Sequence, residues 1–281
     1  MKIYVQNLKR SFNRSNKTKL YCCAFNAHNL EMVPGMIRAA KEKGSPIIIQ
    51  TSVATARYVG MRNFVSVCKG MAESECVDVV LHLDHARDLN DIEDAIEAGY
   101  SSVMFDGSLM PFKENIAKTK RVVDYAHKRG VSVEGEIGTI GGTEEGVTVA
   151  EGQYTKVEDA RKFIEECDVD ALAVGIGTHH GQFKSKTELN FPLVEELHKE
   201  IDKPLVVHGG TGVKEEDYHR LTNNGIRKFN VGTELLVAWT RKAQEMFAQT
   251  EVNTSLRNNI VPCNDAVSEI VAHKIELFMN K

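Results

Sequence analysis

The chain has 281 residues, 42% of them hydrophobic and 26% charged, which supports a globular core and excludes collagen-like or low-complexity architectures. Its formal charge of -4 offers no broad basic field for nucleic acid or for an anionic membrane, so the expected partner is a small molecule. No apolar run reaches the ~20 residues that span a bilayer, and the first eighteen residues lack the apolar stretch of a secretory signal, so a cytoplasmic protein is expected.

In chain order, the first eighteen residues carry no clear period and fit a short opening helix across the bottom of the fold. β-rich runs then alternate with amphipathic stretches. A strand over 20–25 contains the adjacent Cys22 and Cys23, and with no CxxC pair among six cysteines, buried free thiols are expected. A helical pattern over 30–43 stops at Gly44, a residue type suited to the left-handed turn that closes a helix. There follow strands at 46–50 and 79–83, a helix at 91–98 before Gly99, a strand at 102–105, a helix at 114–128 before Gly130, and a strand at 132–136. Residues 137–155 form a long Gly- and Glu-rich connection of the kind that serves as an active-site lid.

Beyond it lie a helix at 157–166, a strand at 171–175, a helix at 192–200, a strand at 205–208, a helix at 215–223 before Gly225, a strand at 228–231 and an extra helix at 263–280. Eight strand-then-helix units with no linker or composition step predict one α/β domain over 1–281. Its form is a (β/α)8 TIM barrel with a lid after strand five and an added C-terminal helix. The first strand is not followed by the GxGxxG turn of a dinucleotide-binding open sheet.

Catalytic groups of such a barrel sit at the C-terminal ends of its strands. Asn26, Ser52, Asp84 with His85, Asp106, Glu134 with Glu136, His179 with His180, His208 and Asn230 all end or follow a strand. Three strand ends therefore offer histidine, and three imidazoles around an open position make a catalytic zinc site. His85, His180 and His208 are the chosen donors, although spacing alone does not separate His180 from His179. Alternation along 81–85 puts His82 and Asp84 on one face, so Asp84 points into the mouth beside the metal ligand, the alternatives being an N-cap or a carboxylate that orients a histidine. Gly181 with Lys184, then Gly209, Gly210 and Thr211, then Asn230, Gly232 and Thr233 place small residues where barrel loops and helix N-termini bind phosphate.

Taken together, segments 81–85 (LHLDH), 102–108 (SVMFDGS), 132–142 (SVEGEIGTIGG), 175–181 (GIGTHHG), 207–212 (VHGGTG) and 230–234 (NVGTE) resemble the class II, zinc-dependent fructose/tagatose-bisphosphate aldolases. The resemblance runs from about residue 21 onward. It implies Zn2+ on His85, His180 and His208, with Glu136 as an additional ligand for a displaced metal. It further implies Asp84 as acid/base at the C4 hydroxyl and Glu144, on the long connection, as acid/base at the dihydroxyacetone phosphate carbon, with the neighbouring Glu145 as its alternative. The substrate and phosphate contacts map onto Asn26, Ser52, Gly181, Lys184, Gly209, Gly210, Thr211, Asn230, Gly232 and Thr233, with a monovalent cation (Na+ or K+) near the phosphate.

Arg257 resembles a C-terminal arginine that grips a second phosphate, although Ser255-Leu256 replaces the family's preceding Asp-Pro. A homodimer or homotetramer is implied, as is a possible role for an activating partner subunit. Gly232 stands where many fructose-type members carry Asp or Asn, and 230–239 (NVGTELLVAW) resembles the tagatose-type and deoxy-gluconate-type relatives. The expected reaction is reversible cleavage of a ketose 1,6-bisphosphate, tagatose before fructose, to dihydroxyacetone phosphate and glyceraldehyde 3-phosphate. The rivals are an aldolase for another phosphorylated ketose such as 6-phospho-5-dehydro-2-deoxy-gluconate, a zinc hydrolase on the same barrel, a barrel with little activity alone, and a Schiff-base aldolase using Lys228.

Overall fold

A computed structural model describes residues 5–8, 11, 22–144, 146–181, 188–211, 213–252 and 254–279, without the side chains of Cys22 and Glu144. In chain order it runs β1 (Cys22–Asn26), a 3-10 turn (Leu30–Met32), α1 (Val33–Lys43), β2 (Ile47–Ser52), α2 (Val53–Val59), α3 (Met61–Glu75), β3 (Val79–Ala86) and α4 (Leu89–Ala98). It continues with β4 (Ser102–Phe105), α5 (Phe112–His127), β5 (Ser132–Ile137), β6 (Gly141–Glu144), β7 (Val147–Val149), α6 (Val157–Cys167), β8 (Ala171–Val174) and β9 (His179–His180). The last elements are α7 (Phe191–Glu200), β10 (Leu205–Val207), α8 (Glu215–Asn223), β11 (Ile226–Val231), α9 (Thr233–Gln249) and α10 (Leu256–Met279).

Eight of these strands close a parallel barrel in the order β1-β11-β10-β8-β5-β4-β3-β2, the TIM-barrel arrangement. Period-2 alternation sorts each strand's side chains between two cores. Ile47, Ile49, Leu81, Leu83, Val133 and Leu172 face the helical ring, while Ala24, Ile48, Val80, Met104, Ala171, Ala173 and Val206 fill the barrel together with Leu8. Each fully buried Val, Leu, Ile or Met among them contributes about 1.5–3 kcal/mol. Leu8 is fully buried and the Gln6 backbone N–H donates to the Val79 carbonyl, so residues 5–8 meet the barrel bottom. Among the described residues, no helix is long and apolar enough to cross a membrane.

Three local features differ from the sequence reading. The connection after β5 is not structureless. β6 and β7 pair antiparallel, and β6 pairs in parallel with β9, because the glycines Gly141 and Gly142 let the hairpin lie directly against His179 and His180. The terminal helix begins at Leu256, seven residues before the expected start, and passes through Pro262 instead of starting after it. The free thiols of Cys23, Cys68, Cys167 and Cys263 are buried as expected, but Cys76 is exposed in the left-handed turn that ends α3.

Candidate active site

Above the apolar layer the barrel interior turns polar. Gln50, His82, Glu134 and Lys228 are each fully enclosed there, and an enclosed charge persists only when paired. Lys228 Nζ lies 2.9 Å from Glu134 Oε2, which forms the floor of the mouth. His82 hydrogen-bonds Ser102 Oγ through Nδ1 at 2.7 Å and sits beneath the reactive residues. Burial, then the Lys228 charge, holds its imidazole well below the usual range, so it is neutral.

Asp84 and His85 are adjacent yet both enter the mouth, which simple alternation forbids. The β3–β4 register shifts between Leu83 and Ala86, and His85 has φ +48°. This bulge turns the second residue inward beside the first. His85 Nε2 then lies 2.7 Å from His208 Nδ1, and the His180 ring centroid is 4.9 Å from that of His85. The donor atoms of His85, His180 and His208 all fall within 4.8 Å of one another, and a second group shares His85 with Asp106 and Glu136. The structure therefore separates the neighbouring pair: His180 joins the cluster, while His179 packs against Gly141 and Gly209.

In His85 and His208 the ring nitrogen facing away from the cluster is held by a carboxylate. His208 Nε2 donates to Glu134 Oε1 at 2.8 Å, leaving Nδ1 for the cluster. His85 Nδ1 is 3.4 Å from Asp106 Oδ2, which also accepts from Arg87 Nη2 at 2.6 Å. Burial alone would lower His85, but Asp84, Asp106 and Glu136 push it up to about 10. Burial, with the neighbouring His85 charge, keeps His208 well below the usual range. Glu136 is pushed up to about 8, first by burial and then by Asp106, and its Oε2 lies 3.8 Å from His208 Nδ1. Three converging imidazoles, two of them with the outer nitrogen so held, fit a tetrahedral Zn2+ site with an open position.

Asp84 is held by three amides. Gln50 Nε2 donates to its Oδ2 at 2.9 Å, Asn26 Nδ2 to the same oxygen at 3.1 Å, and Asn230 Nδ2 to Oδ1 at 3.1 Å. Burial would raise its pKa, but His85, His208 and Lys228 outweigh burial and hold the carboxyl below the usual carboxylate range. It is thus oriented and ionised, as a general base must be.

Beside Asp84 opens a cleft of about 250 Å³ lined by Asn26, His180, Gly181, Gly209, Gly210, Thr211, Asn230, Gly232 and Thr233, with His28, Thr143 and Leu236 at its rim. The seventeen-residue α9 starts there, bringing the positive end of its dipole to the cleft. The loop glycines are required by space: a Cβ at Gly210 would lie 2.1 Å from the Phe229 ring, and one at Gly209 would lie 2.3 Å from the His179 carbonyl oxygen. Ser52 ends β2 in register with Asp84 and caps α2. Arg257 is exposed in the first turn of α10 and does not line this cleft. Glu144 ends β6 beside the hairpin turn, opposite Val147, while Glu145 and Lys184 lie outside the described residues.

The family model described as fructose-bisphosphate aldolase class-II matches residues 6–281. The chain belongs to the class II fructose-bisphosphate aldolase family. As a class II aldolase it is a carbon–carbon lyase acting on a phosphorylated ketose. It is 41% identical over 257 residues to a sulfofructosephosphate aldolase of Alkalicoccus urumqiensis, covering 91% of this chain and 90% of that one. The YdjI aldolase of Escherichia coli K12 superposes with a TM-score of 0.84 at 31% identity, over 98% of this chain and 97% of that one. A fructose-bisphosphate aldolase of Campylobacter jejuni, at 21% identity, matches in fold alone, with a TM-score of 0.83 over 99% of this chain and 96% of that one.

Gln50, Glu134 and Asp106 carry roles that sequence reasoning did not assign. The available signal was position: each is a polar residue at an inward-facing or strand-end site of a barrel whose lower interior is apolar.

Proposed function

We propose that this aldolase reversibly cleaves a ketose phosphate carrying a second anionic group, releasing dihydroxyacetone phosphate and an anionic aldehyde. The observation that carries the reading is the ionised Asp84, clamped by Asn26, Gln50 and Asn230 beside three converging histidines. His85, His180 and His208 would hold Zn2+, with Glu136 near enough to join them. Bound there, the ion would supply Lewis-acid polarisation of the ketose carbonyl.

Asp84 accepts the C4 hydroxyl proton as the C3–C4 bond breaks and the C4 oxygen becomes the aldehyde carbonyl. Glu144 returns a proton to C3, and the β6–β7 hairpin that carries it screens the mouth from water. Gly181, Lys184, Gly209, Thr211, Gly232 and Thr233 receive the phosphate on backbone N–H groups, side chains and the α9 N-terminus, with Na+ or K+ beside it. Asn26 and Ser52 orient the sugar. The chain acts as one domain in a cytoplasmic homodimer or homotetramer, in which Arg257, exposed and not lining its own cleft, would serve the neighbouring mouth.

For the substrate, we rank sulfofructose phosphate first, ahead of tagatose 1,6-bisphosphate and fructose 1,6-bisphosphate, a ranking supported by the 41% identical relative named for it. A Schiff-base route through Lys228 is disfavoured, because its ammonium is wholly enclosed and engaged by Glu134.

The deciding experiment measures dihydroxyacetone phosphate release from the three substrates in parallel, before and after chelation and again after Zn2+ is restored. Release that chelator abolishes and Zn2+ restores is expected, fastest from sulfofructose phosphate. Release that survives chelation, with borohydride trapping of substrate on lysine, would overturn the metal reading.

A further inference from the structure

Lys274 of α10 is 5% exposed, an unusual place for an ammonium group. Its Nζ lies 3.1 Å from Glu234 Oε2 and 3.3 Å from the hydroxyl of the fully buried Tyr218. An ammonium only donates, so the Tyr218 hydroxyl accepts from Lys274 and keeps its own proton to give away. It gives it to the Gly210 carbonyl, 3.3 Å distant. Burial, with the Glu234 charge, raises the Tyr218 pKa well above the ordinary phenol range, so that proton is always available.

Two loops meet at this one cation. Through Tyr218 it holds the loop after β10, at Gly210, and through Glu234 it holds the first turn of α9, one residue past Thr233. Gly210 in turn donates its amide to the Asn230 carbonyl, and the Asn230 side chain donates to Asp84. Glu234 brings a negative charge to a helix start that is meant to receive an anion, and Lys274 offsets it.

We infer that Lys274 is a positioning residue for phosphate binding: from behind the cleft it locks both phosphate-receiving loops in register and cancels the Glu234 charge. The inference rests on the reading of those loops as the phosphate site. Lys274 touches no substrate atom, so its loss weakens binding of the phosphate group more than it slows the chemistry.

The test compares Lys274→Met, Tyr218→Phe and the double change Lys274→Met with Glu234→Gln. For each, ketose phosphate cleavage is followed with inorganic phosphate as competitive inhibitor, alongside thermal unfolding. Lys274→Met should raise KM and the inhibition constant of phosphate together by roughly tenfold, the effect of losing one hydrogen bond to a charged group. Its kcat should stay within about threefold of the parent. The double change should recover part of that loss, and Tyr218→Phe, which keeps the ring packing, should show a smaller shift in the same two constants.

Unchanged KM and phosphate inhibition in folded variants, or a fall in kcat with KM constant, overturns the inference. If Lys274→Met does not fold, Tyr218→Phe alone decides. A parent protein that neither cleaves a phosphorylated ketose nor is inhibited by phosphate removes the phosphate reading, and this inference with it. A parent that does both while the variants match it removes only the role of Lys274.

Discussion

Replacing Lys228 by Met tests whether the floor of the mouth is an electrostatic unit. Met keeps most of the stem's volume and removes the charge, so the loss reports on the ion pair more than on a cavity. Lys228 Nζ sits 2.9 Å from Glu134 Oε2 and 3.2 Å from Oε1, with both side chains fully enclosed. Deleting one partner of such a pair strands a buried charge and costs about 3–5 kcal/mol.

For a chain of this size, with about 2–4 °C lost per kcal/mol, the melting temperature should fall by roughly 6–20 °C. Glu134→Gln retains an oxygen that accepts from His208 Nε2, so combining the two changes removes the stranded charge. The double variant should be less destabilised than the sum of the singles by at least about 2 kcal/mol. Thermal and urea unfolding of the four proteins closes the cycle. A Lys228→Met cost below about 1 kcal/mol, or simple additivity, would refute the argument that Glu134 depends on Lys228.

Three further outcomes are expected. Asp84→Asn should lower kcat by about 10²–10⁴-fold while leaving zinc content intact, as metal analysis alongside kinetics will show. Asp106→Asn frees His85 Nδ1 and Arg87, and competition with a chelator should find zinc affinity reduced about 10–100-fold. A Cβ at Gly232 would lie 3.0 Å from Asn26 Oδ1, so Gly232→Ala should disturb the amide that holds Asp84 and lower kcat. An unaltered kcat there would mean that Asn26 yields without consequence.

Much of this was legible because a parallel barrel writes itself into sequence twice. Strand alternation separates inward from outward residues, and strand ends collect the polar ones, so Asn26, Asp84, His85, His208 and Asn230 could be grouped from order alone. What stayed hidden depends on distances across the barrel or on local backbone departures. The His208–Glu134–Lys228 array joins strands separated by 94 positions in sequence, and no spacing rule reports such a meeting. The β6–β7 hairpin is short, Gly-rich and polar, and gains its order from docking on β9 instead of from an apolar face. The terminal helix crosses Pro262 because its flank packs on α9 and α1, where Gly35 lets the backbones approach closely, and tertiary contact overrides the local breaker.

The extra residue in β3 makes the chemistry depend on counting as well as on identity. With regular pleating, one of Asp84 and His85 would look into the mouth and the other into the helical shell. A deletion that straightens this strand would therefore force a choice between the proposed proton acceptor and the proposed ligand without changing either amino acid. Grafting this mouth onto another barrel requires transplanting the irregularity itself, including a left-handed backbone at a histidine that costs about 1–3 kcal/mol to hold.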